Sequence, residues 1–91
     1  MYSYKEDKLL LRTTLSMEKD ITSFLYFTLE ANEGICFYST LPFEKGDKYR
    51  DIVLYSTPEL KPDLENILNH LKKTISFEEK ELFTQIKEDS L

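Results

Sequence analysis

Most of the leucines between residues 8 and 15 fall at positions of one parity, and this spacing predicts a β-strand. Leu9, Leu11 and Leu15 fall on one face of that strand, whereas Arg12 falls on the other. The first element of the chain is therefore expected to be a strand with one apolar side.

Two further strands are predicted on either side of a polar loop. Residues 35–41 and 49–57 are rich in aromatic and β-branched side chains, which favour extended backbone. The stretch between them, residues 42–48, contains a proline, a glycine and four charged residues. This composition predicts a hairpin whose loop is longer than the tightest class.

A helical repeat of side chains separates the first strand from the second. The spacing i, i+3, i+4, i+7 and i+8 is followed by Ile21, Phe24, Leu25, Thr28 and Leu29. A strand is the alternative, because aromatic and β-branched residues are only moderate helix formers. The sequence Asn-Glu-Gly that follows is typical of a helix C-terminus, so a helix is favoured.

The strongest periodic signal predicts a second helix. After a short turn over residues 58–61, Pro62 fits the first turn of a helix, where its missing N–H costs nothing. The helical spacing is kept by Leu60, Leu64, Ile67, Leu68, Leu71 and Ile75.

The last part of the chain is acidic and allows three interpretations. Ser76-Phe77-Glu78-Glu79 matches a capping box, which favours a final helix over residues 77–88. The apolar side of that helix would hold Leu82, Phe83 and Ile86. The alternatives are a short fourth strand over residues 74–77 and a continuation of the second helix.

The order of these elements predicts an α+β fold of the ferredoxin-like βαββα(β) type. Right-handed connections would place two helices on one face of an antiparallel sheet and leave the other face open. We expect one domain over residues 1–91, with a frayed N-terminus at 1–7 and an acidic, helical segment at 76–91.

Strand alternation assigns side chains to the two sheet faces. The residues expected to face the helices are Leu9, Leu11, Leu15, Ile35, Phe37, Leu41, Ile52 and Leu54. The residues expected on the open face are Leu10, Arg12, Thr14, Cys36, Tyr38, Thr40, Asp51, Val53 and Tyr55. Because tyrosine and arginine are enriched at protein interfaces, Arg12, Tyr38, Val53 and Tyr55 form the candidate interface. The alternative is an ordinary solvated sheet face.

Charge and composition narrow the choice of partners. The net charge of −5 disfavours binding to nucleic acid and to anionic membranes. Cys36 is the single cysteine, so no disulfide forms within the chain and a reducing compartment is the simpler expectation. No signal peptide or long apolar run is present. We therefore predict a cytoplasmic protein with no membrane partner.

Residues that carry chemistry are sparse. His70 is the only histidine and Cys36 the only cysteine, so no zinc-ligand spacing can be found. The two glycines, Gly34 and Gly46, are twelve residues apart, so no phosphate-binding loop is expected, and no cofactor either. A Cys36–His70 pair would need a geometry that sequence does not give, and Cys36 is expected to fill space in a strand. We predict no catalytic, cofactor-binding or metal-binding residue, and an enzyme is disfavoured.

Residues 24–41, with the sequence FLYFTLEANEGICFYSTL, resemble the small bacterial DUF4911 family. The matching features are Glu30, Gly34 and Thr40, and the resemblance covers residues 9–73. It implies a bacterial origin and a compact domain. The family has no assigned activity to carry over, and the proline pair at 58 and 62 is not matched.

The sequence therefore predicts a noncatalytic binding or regulatory module that self-associates, or holds a protein partner, through its open sheet face. In element order it resembles small-ligand-sensing ACT-type domains. One alternative is a small-ligand-binding domain or small enzyme with a pocket between sheet and helices. The other is an RNA-binding module, disfavoured because its first strand would lack the aromatic residues that stack on bases.

Overall fold

A computed structural model describes residues 9–87, and in this part the chain forms four strands and two α-helices. Short 3₁₀ turns precede both helices. The elements in chain order are β1 (Leu9–Glu18), α1 (Thr22–Ala31), β2 (Phe37–Thr40), β3 (Tyr49–Ser56), α2 (Lys61–Leu71) and β4 (Glu78–Lys87). The frayed end predicted at residues 1–7 lies outside the described residues.

The strands form one antiparallel sheet in the order β2-β3-β1-β4. Helix α1 links β1 to β2 across β3, and α2 links β3 to β4 across β1. This is the βαββαβ ferredoxin-like arrangement, so the predicted α+β fold is confirmed. Within residues 9–87, neither helix is long and apolar enough to cross a lipid bilayer.

One face of the sheet packs against both helices and forms the core. Leu15, Ile52 and Leu54 were predicted to face the helices, and all three are fully buried there. They pack in one cluster with the other buried residues Met17, Leu25, Leu29, Leu64, Leu68 and Leu71. The apolar faces of the two helices therefore pack against the apolar face of β1 and β3, as the sequence predicts.

The faces of β2 are the reverse of the prediction. Phe37 pairs with Tyr55 and Tyr38 pairs with Leu54, and paired residues share a sheet face. Because Leu54 lies in the core, Tyr38 lies on the helix face and Phe37 on the open face. A shift of one residue in assumed register is enough to exchange the faces of a strand.

The same reversal corrects the other face assignments on this side of the sheet. Thr40 pairs with the buried Ile52, and its hydroxyl is hydrogen-bonded to the Tyr26 hydroxyl on α1. Cys36 packs against the core cluster instead of lying on the open face. Leu41, predicted to face the helices, is exposed at the position that continues the face of Phe37.

The C-terminal segment is a strand and not the predicted helix. Residues Glu78–Lys87 pair with β1, although the register shifts on both sides of Thr14. At one shift the buried Thr13 hydroxyl donates a hydrogen bond of 2.5 Å to the Glu81 carbonyl. Without β4, the backbone groups on one side of β1 would have no strand partner, so pairing overrides the local helix signal.

The start of α2 follows the prediction, whereas the end of β1 does not. A 3₁₀ turn spans Pro58–Leu60, and α2 begins at Lys61 with Pro62 in its first turn. Strand β1 instead runs on to Glu18, beyond the predicted end at residue 15, and α1 starts only at Thr22.

Candidate interaction surface

The open sheet face carries a polar network on β1 and β4. Arg12 donates two hydrogen bonds to the Glu81 carboxylate, from Nε to Oε1 at 3.0 Å and from Nη2 to Oε2 at 2.9 Å. The Thr14 hydroxyl donates to the same carboxylate at 3.1 Å. Such a two-point contact fixes the orientation of both side chains and ties β4 to β1 across the ladder.

The Arg12 contact also alters the ionisation of Glu81. Hydrogen bonding from Arg12 lowers the pKa of Glu81 below that of an ordinary glutamate, although partial burial opposes this, and the bond from Thr14 adds to the lowering. The same hydrogen bond raises the pKa of Arg12.

Replacing Glu81 by glutamine is expected to weaken the dependence of the free energy of unfolding on pH in the acid range. Because the pKa of Glu81 is lower in the folded chain than in the unfolded chain, its ionisation stabilises the fold at neutral pH. That contribution is lost as pH falls through the folded-state pKa. We expect less than about 1 kcal/mol, since about a third of each side chain is exposed. Urea unfolding at about pH 7 and about pH 3 measures it.

The matched control is Glu65→Gln on the exposed side of α2. Glu65 pairs with Lys61 at a longer distance of 3.8 Å. An equal change in the pH profile of both variants would contradict a specific role for the Arg12–Glu81 pair.

A second ion pair lies on the same face. Lys80 Nζ contacts Asp51 Oδ2 at 3.1 Å and links β4 to β3 across β1. Together with the Arg12–Glu81 pair it places internally paired charges on β4, β1 and β3 of the open face.

Exposed apolar side chains also lie on the open face, along β2 and β3. Phe37 on β2 is 64% exposed and Tyr49 on β3 is 56% exposed. Leu41 and the partly exposed Tyr55 complete this group, and Phe37 and Tyr55 are direct partners in the sheet. We call these four residues (Phe37, Leu41, Tyr49 and Tyr55) the apolar patch. Exposed aromatic and aliphatic side chains on one sheet face, beside paired charges, are typical of a protein contact surface.

Three of the four predicted interface residues lie on the open face. Arg12, Val53 and Tyr55 share it, but Val53 is only 5% exposed and offers little surface. Tyr38 does not belong to it, because its ring stacks on Tyr26 of α1 at 4.7 Å and its hydroxyl donates to Glu30 at 2.6 Å. That hydrogen bond raises the pKa of Tyr38.

Sequence reasoning missed Phe37 as a surface residue. The signal that could have found it is the pairing of the two aromatic residues Phe37 and Tyr55, which the β2–β3 register brings to one face. Finding it needs the register of the hairpin, and the long loop between the strands leaves that register open.

A small cavity opens where β2 begins and β3 ends. Its volume is about 210 Å³, and its lining includes Leu10, Ile35, Cys36, Phe37, Tyr55 and Leu60. The lining has three hydroxyl-bearing residues, Tyr55, Ser56 and Thr57. Two of their hydroxyls are already engaged, because Ser56 donates to the Ile35 carbonyl and Thr57 accepts from the Leu60 amide. Polar groups free to orient a charged ligand are therefore scarce in this cavity.

Cys36 lines this cavity as a protonated thiol. Burial raises the pKa of Cys36 to about 11, so the nucleophilic thiolate is a minor form at neutral pH. His70 is exposed in the last turn of α2. Within the described part of the chain, no group of three or more His, Cys, Asp or Glu side chains is arranged to hold a metal ion.

Comparisons of the chain with protein-family models, with curated proteins and with solved structures give no match.

Proposed function

We propose that this chain is a noncatalytic binding module that works through contact with another protein molecule, in the first place a second copy of itself. The apolar patch on the open sheet face is the contact surface. The observation that carries this proposal is the exposure of Phe37 and Leu41 on one margin of that face, beside the paired charges of Arg12 and Glu81.

The patch has the composition of an interface core with a polar rim. Aromatic side chains bury a large apolar area with few rotatable bonds. Covering an exposed ring with a partner therefore lowers the free energy of the complex. Arg12 and Glu81 already satisfy each other, so a partner can approach them without leaving an unpaired charge. The two kinds of side chain on this face therefore have complementary roles, the apolar ones for affinity and the paired charges for orientation.

The chemistry around the patch supports binding over catalysis. Cys36, which precedes Phe37 in the chain, is held as a thiol by burial. The carboxylate of Glu81 is neutralised by Arg12 and is not held ready to accept a proton. The resemblance of residues 24–41 to the DUF4911 family, a bacterial origin and a cytoplasmic location are further parts of this proposal.

A second candidate is the binding of a small neutral ligand in the cavity beside Cys36. The apolar lining and the volume of about 210 Å³ favour an uncharged, ring-sized molecule. Thermal-shift measurements with small neutral aromatic compounds separate the two candidates. A ligand at 100 times its dissociation constant would add about 2.7 kcal/mol to stability.

Replacing Phe37 by aspartate is expected to abolish self-association of the chain. The carboxylate would lie within the contact and would have to be desolvated without a partner. Sedimentation equilibrium of wild type and variant over a range of concentrations measures the effect. We expect the dissociation constant to rise by at least about 100-fold, a typical cost for a central contact residue.

The matched control is Phe24→Asp, which makes the same chemical change at another exposed aromatic residue. Phe24 is 44% exposed on α1, on the side of the helix opposite Tyr26, which contacts β2. An acidic residue in the first turn of a helix is compatible with the helix dipole. Wild-type protein that stays monomeric at every concentration would contradict the proposal, as would equal loss of association in both variants.

A further inference from the structure

Strand β2 presents an unpaired edge. The Leu41 amide donates to the Asp51 carbonyl at 2.8 Å, so the odd-numbered residues of this strand direct their backbone groups toward β3. In an antiparallel ladder alternate residues point to opposite sides, so Tyr38 and Thr40 direct their N–H and C=O groups outward. Within residues 9–87 no strand pairs with that side of β2.

The two edges of the sheet differ sharply. The outer strand β4 has two register shifts and begins with the charged run Glu-Glu-Lys-Glu, and both features discourage pairing with another chain. Strand β2 pairs with β3 without a register shift and carries no charge. The uncharged stretch extends over residues 34–43, in a chain of which 32% is charged. One edge is therefore protected and the other is suited to pairing.

We infer that the β2 edges of two copies pair antiparallel around a two-fold axis at Ser39, giving a continuous sheet of eight strands. This inference rests on the proposed function and names the partner and the geometry. Tyr38 of each copy pairs with Thr40 of the other, and these outward residues exchange four backbone hydrogen bonds.

The side chains of β2 favour this register. With the axis at Ser39, Phe37 of each copy lies opposite Leu41 of the other copy. Phe37, the most exposed side chain of the apolar patch, therefore gains an apolar neighbour, and the two-fold axis repeats this contact once. An axis at Tyr38 would place Phe37 opposite a serine instead. Pro42 has no N–H to donate, so the ladder ends one position beyond Leu41.

The paired segment is short, and the charge repulsion between the two copies opposes the pairing. Strand β2 has four residues, and each copy has a net charge of −5. Contacts of this size give weak, rapidly exchanging complexes unless side chains outside the strand add area. The dimer is therefore expected to form at micromolar to millimolar concentrations and to strengthen with added salt.

A proline at position 40 tests the edge geometry. Thr40→Pro removes an N–H that points outward, so the β2–β3 ladder keeps its hydrogen bonds and the fold is retained. Thr40→Val is the matched control, since it also removes the hydroxyl bonded to Tyr26 but keeps the N–H. We expect Thr40→Pro to lose self-association and Thr40→Val to keep it, both measured by sedimentation equilibrium.

Amide hydrogen exchange in the wild-type protein tests the same geometry without a substitution. As concentration rises, exchange of the Tyr38 and Thr40 amides is expected to slow by about tenfold or more, whereas the Ser39 amide is already protected at low concentration. No slowing at Tyr38 and Thr40 in a sample that has associated would overturn the inference.

The outcomes separate this inference from the proposed function. If Thr40→Pro associates as wild type does while Phe37→Asp does not, edge pairing is wrong and the apolar patch still stands as the contact surface. If wild-type protein never associates, the proposed self-association fails together with the edge pairing.

Discussion

Replacing Leu15 by alanine is expected to lower the free energy of unfolding by about 2–5 kcal/mol. Leu15 is fully buried at the centre of β1, opposite Ile52 of β3, and packs into the single cluster that joins the sheet to both helices. Alanine would leave a cavity that the flanking strands cannot close, because their register is fixed on both sides. Urea unfolding followed by circular dichroism measures the loss.

The matched control removes more apolar atoms from a surface position. Phe27 on α1 is 73% exposed, so Phe27→Ala is expected to change stability by no more than about 0.5 kcal/mol. Equal effects of the two substitutions would contradict the assignment of Leu15 to the core. A loss of about 2–5 kcal/mol is a large part of the about 5–14 kcal/mol that stabilises a domain of this length.

A chain that ends at Ser76 is expected to lose cooperative unfolding altogether. It would lack β4, so β1 would become an edge strand over most of its length. The buried hydroxyl of Thr13 would lose its hydrogen-bond acceptor, the Glu81 carbonyl. The core cluster would also lose the packing of the Phe83 side chain. A three-stranded remainder with one uncovered side of β1 buries too little apolar surface to fold. Urea titrations monitored by circular dichroism test this expectation.

The control for the truncation is a full-length chain with Glu79→Gln. This change removes only the contact of Glu79 with Lys72, which joins β4 to the residue that follows α2 at a distance of 2.6 Å. We expect a loss below about 1 kcal/mol and an intact cooperative transition. A truncated chain that unfolds with the same midpoint as the full-length chain would contradict the role of β4.

The parts of the fold that sequence predicted are those where one periodic pattern has no competitor. In α2, the leucines at 64, 68 and 71 recur on one helical face, and all three are buried. In β3, Ile52 and Leu54 alternate with side chains that face the other way, and both belong to the core. At these positions local pattern and global burial favour the same answer.

The parts that sequence missed depend on contacts between distant residues. Tyr38 faces the helices because Tyr26 and Glu30, on another element, receive its ring and its hydroxyl. The capping-box pattern at residues 76–79 favours a helix locally, but β1 supplies a ladder of backbone partners that lies more than 60 residues away in sequence. Neither contact leaves a signal in a short window of sequence.

The candidate surface was predicted in outline and corrected in detail. Arg12 and Tyr55 lie on the open face as expected, and both follow from the alternation of strands that were correctly placed. Phe37 replaces Tyr38 because β2 is short and aromatic on both faces, so composition cannot tell which ring is buried. The candidate surface therefore lies closer to the β2 margin of the sheet than the sequence predicts.

An NMR dilution series of the wild-type protein tests the central claim most directly. If the apolar patch is the contact surface, the backbone signals of Phe37, Leu41 and Tyr55 will shift as the protein is concentrated, while those of Asn66 and His70 on α2 stay constant. Signals that remain unchanged at every residue of the patch up to the highest soluble concentration would contradict the account.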